Sequence, residues 1–233
     1  MMDKMINAMM KRYQMFVWLG LIIVLIAFWM AYSVGANAQT TFFSVDKAAR
    51  EAAGTGTIYA LANAARHSIP TWIPMLKFLG LGIMLGAITM ALGSIIQTLQ
   101  VLGKEVSANW SDKLNPGEPE KPKAARLFPI LMMMGWIILI IGVIWAFSLN
   151  STVTSYWNHS VANELNPAQL GSTLLTQLGT IVSTLPWLNA FRFTGMAFLF
   201  TAITLALTVI IRALQFQEKS LENFLQSKVG KPA

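Results

Sequence analysis

Four long, predominantly apolar stretches, each of 20 residues or more, constrain this chain more than any other feature. They run from Met15 to Val34, Ile73 to Ile96, Leu127 to Leu149 and Leu188 to Ile211, and none contains an aspartate or glutamate. A helix rises about 1.5 Å per residue, so about 20 apolar residues cross a hydrocarbon core about 30 Å thick. In lipid every backbone N–H and C=O must be satisfied within the segment, which a helix does. The chain is therefore expected to be an all-α integral membrane protein with four transmembrane helices. Composition agrees: 55% of the 233 residues are hydrophobic and only 12% charged, against about a quarter charged in soluble domains.

The first stretch has a competing reading. Lys4, Lys11 and Arg12 precede it and Ala36-Asn37-Ala38 follows it, an arrangement resembling a secretory signal with its cleavage site. Its length favours a span, since signal cores run to about 7–15 residues. A distant counterpart of this stretch later in the chain points the same way.

That counterpart emerges when the chain is aligned with itself at an offset of 115 positions. Trp72 to Gln100 then falls on Trp187 to Gln215 without a gap, and 12 of the 29 pairs are identical. The matches include Trp72 with Trp187, Phe78 with Phe193, Gly80 with Gly195, Thr89 with Thr204 and Gln100 with Gln215, and Lys77 falls on Arg192. The same offset brings Ala31-Tyr32-Ser33 onto Ala146-Phe147-Ser148. Bilayer composition inflates matches among Leu, Ile and Ala, but not among Trp, Gln and basic residues. The expected architecture is two tandem, parallel two-helix repeats related by a pseudo-twofold axis along the membrane normal. Residues 1–114 form the first repeat, 115–123 a proline- and charge-rich linker, and 124–233 the second repeat with an amphipathic tail.

Basic residues give the expected orientation. Twelve lie in the N-terminal segment, the central connection and the C-terminal end, whereas the first intervening loop has only Lys47, Arg50 and Arg66 and the second has none. By the positive-inside rule both termini are cytoplasmic, which corresponds to the inner membrane in a bacterium. The net charge of +7 thus follows from insertion and does not imply nucleic acid, which is not an expected partner. The two outer loops, alanine-rich from Ala48 to Ala65 and rich in leucine and threonine from Ala168 to Leu185, are expected to hold short helices lying on the outer surface.

Three groups of residues are candidates for function. Gly82, Gly86, Thr89 and Gly93 share one helical face, with Ala197, Thr201, Thr204 and Thr208 at the equivalent positions, a pattern of close helix packing in membranes. Read otherwise, the threonine hydroxyls would line a polar path. Lys77 and Arg192 lie five residues past Trp72 and Trp187, about 7.5 Å along the helix. They reach the outer interface by snorkelling and form a candidate pair for an anion or lipid headgroup. Trp72, Trp157 and Trp187, with Tyr156, are expected interface anchors.

Chemistry is sparse elsewhere. The chain has no cysteine, and its two histidines, His67 and His159, lie outside the spans, where they are poorly placed as haem ligands. Asp46, Glu51 and Glu164 have no spacing suited to acid–base catalysis, and Met132-Met133-Met134 lacks the His or Cys co-ligand that copper prefers. No phosphate-binding loop or nucleophile elbow is present. No catalytic residue, metal or cofactor is assigned. The expected function is that of a non-catalytic, multi-pass membrane subunit or scaffold. It assembles through its small-residue faces into a homo-oligomer or a larger complex with other membrane subunits. The alternative is a small channel or transporter with its pathway between the repeats, and an enzyme or redox subunit ranks third.

Overall fold

The computed structural model describes residues 12–109, 122–159 and 172–229. All described secondary structure is helical: α1 (Tyr13–Phe42), α2 (Lys47–Glu51), α3 (Ile58–Asn109), α4 (Lys123–His159) and α5 (Thr173–Val229). Four of the five, all but α2, are long and apolar enough to cross a bilayer, and the chain is a multi-pass membrane protein. Residues 115–121 of the expected linker lie outside the described residues. At about 1.5 Å per residue, the 30 residues of α1 measure about 45 Å, and the 52 of α3 and 57 of α5 about 80 Å or more. These lengths exceed the hydrocarbon core, so the helices continue past it.

Helix boundaries depart from the sequence expectation in one systematic way. The second and fourth apolar stretches were expected to start near Ile73 and Leu188, preceded by separate surface helices. Instead α3 begins at Ile58 and passes through Pro70 and Pro74, and α5 begins at Thr173 and passes through Pro186. A proline removes one i to i−4 hydrogen bond and crowds the preceding turn, but membrane helices tolerate this where neighbours pack the flanking turns. Asn63, Ala64, Thr71, Ile73 and Met75 are all buried on α3 around its prolines. In the first loop only α2 forms a short independent helix, with Asp46 as its N-cap accepting from the Ala49 N–H at 2.8 Å. The C-terminal tail continues α5 as expected, with Leu221 and Leu225 exposed and Ser220 buried.

Contacts divide the described chain into two units, each drawing segments from α1, α3, α4 and α5. One comprises, among the described residues, 18–84, 135–159 and 172–196. Its core gathers Met75 of α3, Ala146, Leu149, Val153 and Tyr156 of α4, and Ile181 and Leu188 of α5. The buried residues of α4 are Gly135, Leu139, Gly142, Ala146, Leu149, Val153 and Tyr156. They alternate steps of four and three, the spacing that keeps one helix face against a partner. Small residues set the separations. A Cβ on Gly20 would lie 2.5 Å from the Gly80 carbonyl oxygen, and one on Gly80 would lie 2.8 Å from the Gly20 carbonyl and 2.7 Å from Val24 Cγ2. The α1 and α3 backbones therefore meet directly. A Cβ on Gly195 of α5 would lie 2.9 Å from Leu139 Cγ on α4. Within this unit Trp136 Nε1 donates to the Gly82 carbonyl at 3.0 Å, satisfying an indole N–H that would be costly unpaired in lipid.

The other unit comprises, among the described residues, 12–17, 85–109, 122–134 and 197–229. Its described core joins Ile96 and Leu92 of α3, Ala206, Val209 and Ile210 of α5, and Ala124, Ala125 and Phe128 near the start of α4. Burial is concentrated in α3: 44% of its most apolar stretch is buried, against 11% for α1, 17% for α4 and 22% for α5. The large apolar side chains left exposed, among them Trp18, Phe28, Ile144, Phe200 and Ile211, suit a lipid environment.

Candidate functional site

The two small-residue stripes differ in their surroundings. Gly82, Gly86, Thr89 and Gly93 on α3 are all buried, Thr89 completely. On α5, Ala197, Thr201 and Thr204 are exposed and Thr208 is half-buried. The hydroxyls on both faces nevertheless make the same bond, donating to the carbonyl four residues earlier. Thr89 bonds Leu85 at 3.0 Å, Thr201 bonds Ala197 at 2.8 Å, Thr204 bonds Phe200 at 3.0 Å and Thr208 bonds Thr204 at 2.9 Å. A threonine that donates to its own helix presents mainly its methyl group and backbone to a neighbour.

The intramembrane cations lie beside a pair of equivalent aromatic rings. Phe78 of α3 and Phe193 of α5 meet edge to face, centroids 5.0 Å apart. Arg192 is half-buried, its guanidinium carbon 4.9 Å from the Phe78 centroid and 5.6 Å from that of Phe193, within cation–π range. Its Nε is buried with no hydrogen-bond partner. Lys77, one residue before Phe78, is also half-buried.

The expected anchors engage other rings of the protein. Trp72 stacks on Phe147 at 5.4 Å, and its Nε1 donates to Ser68 Oγ at 3.3 Å. Trp157 lies nearly parallel to His67, centroids 3.8 Å apart, and edge to face with Tyr156 at 4.9 Å. Trp187 packs on Trp145 at 4.4 Å. The two histidines have different settings, because the His159 backbone carbonyl accepts from the Thr55 hydroxyl.

One cluster was not recognised in the sequence. At the end of α1, Phe42 and Phe43 pack edge to face at 5.0 Å, and both carry two guanidinium groups. Arg50 lies 5.0 Å from Phe42 and 4.8 Å from Phe43, and Arg66 lies 4.2 Å and 5.0 Å from the same rings. Arg66 Nη1 donates to Oδ1 of the fully buried Asn63 at 3.1 Å. The available signal was an aromatic pair followed by two arginines in the first intervening loop, but sequence alone does not bring residues 42, 50 and 66 together.

The chain matches no protein-family model, no curated protein and no solved structure.

Proposed function

We propose that this protein is a non-catalytic membrane scaffold or complex subunit. In this reading the exposed face of α5, Ala197, Thr201, Thr204 and Thr208, packs against a second copy or another membrane subunit. The carrying observation is the contrast between the two stripes: among the described residues one is buried by its own chain and its counterpart is left exposed. Close backbone approach through small residues is a principal source of helix association in lipid. The intrahelical bonds of the α5 threonines favour packing over a polar path, since their hydroxyl protons are already used.

Tandem repeats with cytoplasmic termini remain part of this reading. Gly80 meets Val24, and Gly195 meets Leu139, contacts related by the same offset of 115 that aligns the sequences. Phe78 touches its own counterpart Phe193, as residues beside a pseudo-twofold axis do. Duplication followed by divergence of the two outer faces would leave one stripe for internal packing and the other for assembly.

The test is the mass of the complex extracted from its native membrane in mild detergent, with bound proteins identified. Stoichiometric partners or a homo-oligomer disrupted by Thr204→Leu supports the reading. A monomer without partners that moves solute in liposomes would replace it with the channel or transporter alternative.

A further inference from the structure

Arg50, Arg66 and Asn63 present an excess of donors where α1, α2 and α3 meet. The two guanidinium groups share the Phe42 and Phe43 rings, so like charges are held close together. Asn63 Nδ2 and Arg66 Nε are both buried without a hydrogen-bond partner. The orientation of the Asn63 amide follows from its contact, since Oδ1 faces the Arg66 donor, leaving Nδ2 as the orphan. Among the described residues the ion pair is Lys47–Glu51 at 3.4 Å, and Asp46 caps α2, so neither carboxylate is bonded to either guanidinium. Arg50 Nε reaches only the Asp46 backbone carbonyl, at 3.4 Å.

Both unsatisfied atoms described at this junction are donors and neither guanidinium is bonded to a carboxylate, so the complementary group is a negatively charged acceptor. Buried donors without partners are costly, and repulsion between like charges adds to that cost. Guanidinium forks match phosphate oxygens in pairs, and the ring faces hold them in position. We infer that Arg50, Arg66 and Asn63 form a binding site for a phosphate group. Phe42 lies eight residues past Val34, about 12 Å beyond the end of the apolar stretch. At that level either a lipid headgroup or a free phosphate in water can supply the group.

Two variants of the full-length purified protein test this. Arg66→Gln removes one charge. Asn63→Asp puts a carboxylate beside Arg66, where it acts as an internal counter-ion and displaces the anion without removing volume. Retention of phosphatidylglycerol against phosphatidylcholine is read by native mass spectrometry, and stabilisation by inorganic phosphate from the melting curve. A lipid site predicts that phosphatidylglycerol retention falls at least about tenfold in both variants, as expected for losing one charge-assisted hydrogen bond, while phosphatidylcholine is unchanged. A free-anion site predicts saturable stabilisation of the unmodified protein by inorganic phosphate that Asn63→Asp abolishes. If Arg66→Gln fails to fold, Asn63→Asp carries the test alone. Equal phosphatidylglycerol retention together with equal phosphate response in the unmodified protein and Asn63→Asp would overturn the assignment.

Discussion

Thr89 on α3 and Thr204 on α5 are equivalent at the offset of 115 and make the same intrahelical hydrogen bond at the same length. Yet Thr89 is fully buried and Thr204 is exposed. Local sequence sets the helix and its back-bonded hydroxyl in both cases, while neighbouring helices decide what covers the face. On α3 the neighbours are close. Gly80 admits the α1 backbone, and Trp136 of α4 bonds the Gly82 carbonyl. On α5 Gly195 also meets a neighbour, Leu139, but among the described residues Ala197, Thr201 and Thr204 stay exposed. Equivalent helix faces can therefore have different surroundings, one buried within the fold and the other exposed.

The sharpest way to break this comparison is at its closest contacts. Gly80→Ala should destabilise the protein by about 2–3 kcal/mol, because overpacking costs about 1–3 kcal/mol and the added carbon meets backbone atoms of α1. Gly195→Ala should cost less, about 1–2 kcal/mol, since the added carbon meets only side-chain atoms, of Leu139 and Ile138. Unfolding by denaturing detergent measures both, and equal costs would remove the distinction between the two hairpins. Next, Thr89→Leu should cost about 1–3 kcal/mol by the same overpacking, whereas Thr204→Leu should change the isolated chain by no more than about 0.5 kcal/mol and weaken its assembly. A smaller effect than that of Thr89→Leu is expected from Trp136→Phe. Losing the bond to Gly82 should cost about 0.6–1 kcal/mol, and no matching loss is available at Leu21, the apolar residue at the equivalent position.

How much of this was legible in the sequence varied with the physics involved. Hydropathy located all four membrane helices, because burial of a polar backbone in lipid leaves little choice of structure. Their ends were less legible. Separate surface helices were expected ahead of the second and fourth stretches, yet α3 and α5 run on through Pro70, Pro74 and Pro186. Periodicity marked both small-residue stripes, but which one is covered depends on contacts far apart in sequence. The Phe42, Phe43, Arg50, Arg66 and Asn63 cluster was invisible for the same reason: a helix end, a short helix and a second long helix must first be brought together. The acid-free spans did show that any charge balancing Lys77 or Arg192 within the membrane must come from outside those spans.

The most direct test of the open α5 face is photo-crosslinking in the native membrane, with a photoactivatable side chain replacing Thr204 in one variant and Phe28, an exposed residue of α1, in another. A discrete protein adduct from position 204 that is absent from position 28, and is lost when Thr201 and Thr208 are changed to leucine, is the predicted result. Only lipid adducts from position 204, or the same protein adducts from both positions, would contradict the account.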